Sequence, residues 1–356
     1  MGQFGYHVID ADGHGGEHAN WRDTLPAAWQ PRMAEYRDKI ATHYAKLTLP
    51  GGGLARKGDK FDSRPGMTDP DERIKDMDLE GIDVTVTFPG GAGEEWALLD
   101  PAFSLALCRT INEAKATFNR HDPKRLKALA KLPMIDPPAA AAELRRAVTE
   151  LGLVGMVCPQ HIRDKNLSDP SFDVVWAEAE RLGATVCIHG GGQAPDQYPI
   201  GVDRFHTRFE VHALTHPMGN MLALMSLIVG GVIHRYPKLH VGFMESGCGW
   251  LPFWLERLDE HYELMGEQAP DIDRKPSEYF MDGNCFISCE PDEHMIKQVV
   301  EILGDSKIVY ASDYYHWDCS FPDTVKQIAE RSELSDATKK RILSENSKRL
   351  YPLVGA

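Results

Sequence analysis

Short apolar runs, each closed by a turn residue, alternate with helical patterns along most of this 356-residue chain. Runs of about four to eight residues that are rich in Val, Ile and Thr and bounded by Gly, Pro or Asp are typical of buried β-strands. Such runs predict strands at 7–12, 84–88, 127–132, 154–158, 184–189, 239–244, 284–288 and 307–312. A strand followed by a helix, repeated along the chain, predicts parallel strands joined by helical crossovers.

Helical patterns fill the intervals between these runs. The predicted helices span 71–80, 101–119, 138–151, 171–182, 218–229, 250–264, 290–303, 322–331 and 336–351. About eight strand–helix units match an α/β fold of the single (β/α)₈, or TIM, barrel type, with the helices outside. A doubly wound open sheet is the alternative, but no GxGxxG sequence follows the first strand, as a dinucleotide-binding version would require.

Two long stretches interrupt this alternation, and each follows a predicted strand. Residues 17–69, after strand one, contain many Gly, Pro and aromatic residues, and residues 190–217, after strand five, contain many charged residues and His. In an α/β barrel both stretches would lie at the end of the barrel that carries active sites. We therefore expect one domain, residues 1–356, in which both stretches form lid or substrate-binding loops.

Composition argues against several functional classes. The chain has 39 Lys and Arg against 53 Asp and Glu, and this net charge of −14 is opposite to that of a nucleic-acid-binding surface. We find no apolar run of the length of a membrane helix and no signal sequence at the N-terminus. The seven cysteines are scattered without a CxxC motif, which indicates reduced, buried thiols. These features predict a cytoplasmic protein without nucleic-acid or membrane partners.

Polar residues stand where four of the predicted strands end. Asp12 and His14 close strand one, and His189, Glu245 and Asp313 close strands five, six and eight. Because the carboxyl ends of the strands meet at one end of a barrel, these side chains can reach a common point. A mixed set of carboxylates and imidazoles suits Zn²⁺, Mn²⁺ or Fe²⁺ and leaves room for water or substrate. Taken singly, each residue also has a structural explanation, such as helix N-capping by an Asp.

These strand ends resemble those of the amidohydrolase superfamily. The resemblance rests on residues 8–14 (VIDADGH), 188–190 (IHG), 235–247 (RYPKLHVGFMESG) and 310–318 (YASDYYHWD). The similar branch contains amino-carboxymuconate-semialdehyde decarboxylase and the resorcylate and carboxyvanillate decarboxylases. Its fold is a metal-bearing (β/α)₈ barrel. The resemblance implies one divalent metal ion per chain, with Zn²⁺ as the first expectation and Mn²⁺ or Fe²⁺ as alternatives.

The resemblance also implies a set of metal ligands. Asp12, His14, His189 and Asp313 match the ligand positions of the family. Asp12 is a departure, because the family usually has His or Glu at this position.

Acid–base chemistry is assigned by the same comparison of positions. Many members carry a catalytic His at the end of strand six, where this chain has Glu245. We therefore expect the catalytic residues to be Asp313, Glu245 and His316, since carboxylates and imidazoles are the usual general acids and bases.

Substrate contacts are expected from the second long stretch and from the end of strand eight. Arg204 and Arg208 are candidates for a bidentate clamp on a substrate carboxylate, and an ordinary solvated loop with surface ion pairs is the alternative. His212, His216 and Trp317 are candidates for lining the pocket.

Three functions are compatible with these patterns. The first is a metal-dependent decarboxylase, a carboxy-lyase that acts on a small aromatic or unsaturated carboxylic acid. The second is a metal-dependent hydrolase that cleaves a C–C, ester, amide or lactone bond with metal-activated water. The third is an inactive barrel that serves as a binding module. The family resemblance further implies a homodimer or a higher homo-oligomer.

Overall fold

The computed structural model describes residues 2, 4–35, 64–90, 100–190, 200–201, 204–205 and 207–355. The strands of this part of the chain are β1 Ile9–His14, β2 Val84–Phe88, β3 Leu126–Ala128, β4 Gly155–Cys158, β5 Thr185–Ile188, β6 His240–Phe243, β7 Cys285–Cys289 and β8 Ile308–Tyr310. Each strand pairs in parallel with the next one along the chain, except that the run is interrupted between β3 and β4.

Single parallel bridges close the strands into a ring. Ala130, just after β3, bridges to Met156 of β4, and its backbone N–H donates to the carbonyl of Gly155 at 2.8 Å. Gly13 of β1 bridges to Tyr314, just after β8. The predicted (β/α)₈ barrel is therefore confirmed, and the open-sheet alternative is not adopted.

Helices follow the strands on the outside of the ring. They are α1 Pro70–Glu80, α2 Pro101–Asn119, α3 Pro137–Thr149, α4 Asp173–Leu182, α5 Arg208–Val229, α6 Val232–Arg235, α7 Leu251–Met265, α8 Pro276–Asp282, α9 Ile296–Leu303, α10 Thr324–Ala329, α11 Asp336–Lys340 and α12 Asn346–Leu350. Short 3₁₀ turns lie at Trp21–Thr24, Ala27–Trp29, Pro65–Met67, Pro170–Phe172, Gly266–Gln268 and Pro352–Gly355, and a π-helical turn spans Arg341–Glu345. Within the described ranges, no helix combines the length and the apolar character needed to cross a membrane.

Three helices begin with an Asp–Pro pair, at 69–70, 100–101 and 136–137. In each pair the Asp side chain accepts hydrogen bonds from backbone N–H groups of the first turn, which have no partner within the helix. Proline occupies the first helical position, where its missing N–H costs nothing. Gly81 and Gly183 end α1 and α4 in the left-handed conformation that glycine adopts without strain.

Helix α5 corrects the predicted boundary of the second long stretch. We expected a loop over 190–217, but α5 already begins at Arg208. Thr207 and Glu210 form a capping box at its start, and Pro217 lies inside the helix instead of ending it. The prediction of a loop is therefore wrong for residues 208–217. Residues 36–63, 191–199, 202–203 and 206 of the two expected loops lie outside the described residues.

Apolar side chains form two layers, one between the strands and the helices and one inside the ring of strands. The larger layer lies between strands and helices, with residues such as Leu144, Trp176 and Leu224 fully buried. The inner one combines alternate strand residues with the C-terminal segment that includes Leu350 and Tyr351. The hydroxyl of Tyr351 donates to the carbonyl of Ala11 at 2.7 Å. This segment therefore closes the end of the barrel opposite the carboxyl ends of the strands. All seven cysteines are buried, as the sequence predicted.

Candidate metal centre

Six polar side chains meet at the carboxyl ends of the strands. This strand-end cluster consists of Asp12, His14, His189, Glu245, Asp313 and His316. Asp12 and His14 end β1, His189 follows β5 directly, and Glu245 follows β6 by two residues. The structure thus brings together all the predicted metal ligands and all the predicted acid–base residues.

The imidazole of His14 and the carboxylate of Asp12 form one side of the cluster. Nε2 of His14 lies 2.9 Å from Oδ1 of Asp313 and 3.5 Å from Oδ1 of Asp12. Nε2 of His189 lies 3.7 Å from the other oxygen of Asp12. The potential ligand atoms of Asp12, His14 and His189 all lie within 4.8 Å of one another.

Glu245 and His316 form the other side of the cluster. Oε2 of Glu245 lies 2.7 Å from Nε2 of His189. Nδ1 of His316 lies 2.7 Å from Oδ1 of Asp313 and 3.5 Å from Oε1 of Glu245. The ring of His316 also stacks on that of His14, with centroids 3.8 Å apart.

Several buried polar atoms of the cluster face one another at ion-pair distance, but within the described residues they form no hydrogen bond of normal geometry. They are both carboxylate oxygens of Asp12, Nε2 of His14, Nε2 of His189, Oε2 of Glu245 and Oδ1 of Asp313. Each such atom costs about 1–3 kcal/mol when it stays unsatisfied, so their convergence indicates that another group completes the site. Nitrogen and oxygen donors of this kind are ligands of Zn²⁺, Mn²⁺ and Fe²⁺. The residues present therefore fit a divalent cation.

The three imidazoles of the cluster differ in charge. Burial lowers the pKa of His14 to about 4, and the charge of the stacked His316 adds to this effect. Burial also opposes protonation of His189, but the carboxylates of Glu245 and Asp12, together with hydrogen bonds to Glu245 and Gly190, outweigh it and raise the pKa of His189 to about 9. In the same way Asp313 raises the pKa of His316 well above its usual value. His14 is therefore a neutral imidazole, the form that ligates metals, whereas His189 and His316 are held as cations by carboxylates when no metal is bound.

The three carboxylates of the cluster also differ in the direction of their pKa shifts. Burial raises the pKa of Asp12 well above its usual value. Burial acts in the same direction on Glu245 and Asp313, but the neighbouring histidines together outweigh it and lower both pKa values. The cluster without a cation therefore contains two carboxylate–imidazole pairs, Glu245–His189 and Asp313–His316, next to Asp12, whose ionisation is opposed by burial.

Backbone conformation directs two of these carboxylates inward. Glu245 and Asp313 have φ angles of +50° and +51°, in the left-handed region that non-glycine residues seldom adopt. Such conformations cost about 1–3 kcal/mol each and persist only where neighbouring contacts fix them. The N–H of Glu245 donates to the hydroxyl of Ser288 at 3.1 Å, and that of Asp313 donates to the carbonyl of Asp12 at 3.0 Å.

A buried hydrogen-bond network ties the end of β1 to the end of β8. The carboxylate of Asp10 accepts from the backbone and hydroxyl of Ser312, both at 2.9 Å, and from the hydroxyl of Thr85 at 2.8 Å. The buried guanidinium of Arg73 donates to Thr85 at 3.0 Å and to the carbonyl of His14 at 2.9 Å. Simple alternation would place Asp10 beside Asp12, but the pairing of β1 with β2 shifts register between Asp10 and Gly13. Asp10 therefore lies outside the strand-end cluster, and its hydrogen bonds hold the ends of β1 and β8 together.

The predicted substrate residues are only partly brought together. A cavity of about 440 Å³ opens beside the cluster, and His212 and His216 of α5 line it. Nε2 of His216 lies 3.7 Å from Oε1 of Glu245, and the ring of His212 meets that of Trp317 edge-on at 5.4 Å.

The structure describes the side chain of only one of the two predicted arginines. Arg204 is exposed and is not among the described residues that line the cavity. Only the backbone of Arg208 is described, at the first position of α5, so its side chain lies outside the described part of the chain.

The sequence analysis missed four acidic residues that line this cavity: Glu290, Asp292, Glu293 and Asp318. Glu290 follows β7 directly, and burial raises the pKa of its carboxyl well above the usual value. Oδ2 of Asp318 lies 3.8 Å from Nε2 of His212, and burial raises the pKa of Asp318 to about 6. Glu290 occupies the same position relative to its strand as His189, so the rule that found the other residues also applies to it.

Comparison with known proteins agrees with this geometry. The model of the Amidohydrolase family matches residues 7–353. The 2-amino-3-carboxymuconate-6-semialdehyde decarboxylase of Dictyostelium discoideum is 32% identical over 287 residues, 78% of this chain and 75% of that protein. A gamma-resorcylate decarboxylase of Rhizobium sp. is 26% identical over 306 residues, 80% of this chain and 88% of that protein.

A solved structure shows the same fold. The 5-carboxyvanillate decarboxylase of Novosphingobium aromaticivorans, complexed with manganese and 4-hydroxy-3-methoxy-5-nitrobenzoic acid, superposes with a TM-score of 0.75 at 21% identity. The match covers 99% of this chain and 97% of that one. The family model, the relatives and the barrel agree, and the chain belongs to the amidohydrolase family, in the branch of 2-amino-3-carboxymuconate-6-semialdehyde decarboxylase.

Proposed function

We propose that this protein is a metal-dependent carboxy-lyase that removes CO₂ from a small aromatic carboxylic acid. The observation that carries the proposal is the strand-end cluster, in which buried carboxylates and imidazoles converge on one point beside a cavity. The relatives named above as decarboxylases support the reaction type.

We assign Asp12, His14, His189 and Asp313 as the ligands of one divalent ion. Zn²⁺, Mn²⁺ and Fe²⁺ all suit such a set, and the manganese in the related solved structure favours testing Mn²⁺ beside Zn²⁺. When bound, the cation would orient the substrate carboxylate with an adjacent oxygen and stabilise negative charge on them.

Proton delivery falls to the pair of Asp313 and His316. Decarboxylation of an aromatic acid needs a proton at the ring carbon that carries the carboxylate. The C–C bond then breaks, its electron pair returns to the ring, and CO₂ leaves. Nδ1 of His316 lies 2.7 Å from Asp313, so the two residues can hold this proton and pass it to the substrate.

Glu245 acts next to this pair. Its carboxylate fixes the imidazole of His189 at 2.7 Å and lies 3.7 Å from Nε2 of His216. We assign it to the same proton-transfer group, in place of the family's strand-six His. His212, His216 and Trp317 would flank the aromatic ring, and Arg204 and Arg208 stay as proposed contacts of the substrate carboxylate.

A homo-oligomer is part of the proposal. Large apolar side chains are exposed on the helices, including Phe209 at 76%, Leu264 at 77% and Ile302 at 65%. Apolar surface of this kind is typical of subunit contacts. Light scattering coupled to size-exclusion chromatography should give a mass of at least twice 39.8 kDa, and a mass of one chain would contradict this part.

The test is CO₂ release by protein loaded separately with Mn²⁺ or Zn²⁺. The acids to offer are gamma-resorcylate and 5-carboxyvanillate, which the relatives' names supply. Release of CO₂ from either acid, lost in an Asp313→Asn variant, would support the proposal. Turnover of ester or lactone substrates without CO₂ would identify a hydrolase instead. Protein that takes up neither metal would be the inactive binding module.

A further inference from the structure

Asn220 of helix α5 is hydrogen-bonded on both sides of Glu245. Its side chain is completely buried. Its amide nitrogen, Nδ2, donates to the carbonyl of Met244 and to the hydroxyl of Ser246, both at 2.8 Å. Met244 and Ser246 are the two chain neighbours of Glu245, so one amide group holds both ends of this short turn.

The turn needs such a contact because Glu245 has a φ of +50°. An L-residue leaves this left-handed conformation unless its surroundings fix it. The hydroxyl of Ser288 restrains the turn from the side of β7, since it accepts from the N–H of Glu245 at 3.1 Å. Asn220 restrains it from the side of α5.

Helix α5 contacts Glu245 a second time, one turn earlier. His216 and Asn220 are four residues apart and therefore lie on the same face of the helix. Nε2 of His216 lies 3.7 Å from Oε1 of Glu245. Asn220 thus holds the backbone of the turn while His216 faces its carboxylate.

The helix is in turn fixed to the end of β4 by Gln160. The buried amide nitrogen of Gln160 donates to the carbonyl of His216 at 3.2 Å and to Oδ1 of Asn220 at 3.5 Å. A Cβ at Gly219 would lie 2.1 Å from the end of the Gln160 side chain, so a larger residue at 219 would displace this amide. Pro217 cannot donate to the carbonyl one turn earlier, which makes these side-chain contacts more important here.

We propose that Asn220 is a positioning residue of the active site. It clamps the Met244–Ser246 turn, so that the Glu245 carboxylate stays between His189 and His216. Through Gln160 the same clamp links the ends of β4 and β6. This inference rests on the proposed function, in which Glu245 takes part in proton transfer.

The test compares Asn220→Ala and Asn220→Asp with Asn346→Ala as a matched control. Asn346 is 1% exposed and also donates through Nδ2 to two backbone carbonyls, those of Asp305 and Ile308, both at 2.7 Å. The control therefore loses a comparable buried amide outside the active site. Asn220→Asp keeps the size of the side chain but places an acceptor opposite the carbonyl of Met244.

We expect both Asn220 variants to lower kcat by about 10–100-fold, because small displacements of catalytic groups have effects of this size. KM and bound metal per chain should change less than about threefold, and Asn346→Ala should lose thermal stability without losing kcat. Crystal structures of Asn220→Ala should show the Glu245 carboxylate displaced from His189. If Asn220→Ala does not fold, Ser246→Ala removes one of the two contacts and should show a smaller loss of kcat.

Wild-type kcat in Asn220→Ala, or a loss no larger than that of Asn346→Ala, would overturn the inference. An unmoved Glu245 carboxylate in the crystals would do the same. These outcomes differ from a failure of the proposed function, which would show as wild-type protein that binds metal but releases no CO₂ from any acid offered.

Discussion

The carboxylate of Glu245, after β6, lies 2.7 Å from the imidazole of His189, after the neighbouring strand β5. This contact places an acid directly against a proposed metal ligand, at a position where the family pattern expects another His. The negative charge of Glu245 favours the protonated form of His189, and the contact between them also fixes the orientation of the imidazole ring. In the proposed mechanism this pair of side chains would connect metal binding with proton transfer.

Glu245→Gln should lower kcat by about 10²–10⁴-fold, the range usual for loss of an acid–base group. The glutamine keeps the size of the side chain but loses the negative charge that faces His189, His216 and His316. Steady-state rates of CO₂ release measure the effect. Glu143→Gln is the control, since Glu143 is fully buried and paired with Arg146 at 2.8 Å outside the cluster. Equal rates in the Glu245 variant and wild type would remove Glu245 from the mechanism.

Removal of the metal should abolish activity and lower thermal stability. Dialysis against a chelator should end CO₂ release, and added Mn²⁺ or Zn²⁺ should restore it. A ligand at 100 times its Kd stabilises the folded state by about 2.7 kcal/mol, so the Tm should rise on metal addition.

His189→Ala should weaken metal binding at least ~10-fold, the lower end of the effect of losing even an indirect contact. His240→Ala, at the opposite end of β6, should bind metal like the wild type; equal metal loss in both variants would argue against His189 as a ligand.

Glu80 should make the protein less stable as the pH rises. Burial raises the pKa of this carboxyl from 4.5 to about 7, although the N–H of Thr324 donates to it at 3.1 Å. Between these pH values the folded state holds the proton and the unfolded state has lost it. The contribution of Glu80 to the free energy of unfolding is therefore fully present below about pH 4.5. It falls by about 3 kcal/mol as the pH rises from there through about 7.

Glu80→Gln removes this titration. The difference in unfolding free energy between the variant and wild type, measured by urea denaturation from pH 5 to pH 8, should move in favour of the variant as the pH rises. A difference that stays constant over this range would show that Glu80 does not titrate as described.

Lys115→Met should destabilise the fold by about 3–5 kcal/mol, as expected when one member of a buried ion pair is removed. The ammonium of Lys115 is fully buried, donates to the carbonyl of Phe88 at 2.8 Å, and lies 3.4 Å from the buried carboxylate of Glu17. It also donates to the carbonyl of Gly15, next to His14. The double variant Lys115→Met/Glu17→Gln should recover part of the loss in urea denaturation, because no unpaired charge then stays buried. A single variant as stable as wild type would contradict this reasoning.

Local sequence patterns were sufficient for the strands and for most of the site. Buried parallel strands appear in the sequence as continuous apolar runs. Polar residues that directly follow such runs lie at the carboxyl end of a barrel, independently of the structure of the connecting segments. This is why His189, Glu245 and Asp313 could be found without a structure. The start of α5 was missed because Pro217 was taken as a boundary, whereas the capping box at Thr207 and Glu210 sets it.

Contacts between distant parts of the chain could not be predicted in this way. The bonds of Asp10 to Ser312 join residues that lie about 300 positions apart, near opposite ends of the chain. The left-handed φ of Glu245 and the contacts of Asn220 likewise depend on how α5 packs against β6. No pattern within one segment contains this information, because the partners are set by the closure of the ring.

The bridge between Gly13 and Tyr314 also sets an order of assembly. The first proposed ligands leave the ribosome with β1, but Asp313 and His316 follow only after β8, when all of the other described strands have been made. Until then Asp10 has no Ser312 to accept from, and the carboxylate of Asp12 faces an incomplete ring. Cation binding during synthesis would therefore report that the last strand has joined the first, which is the slow, long-range step of such a topology.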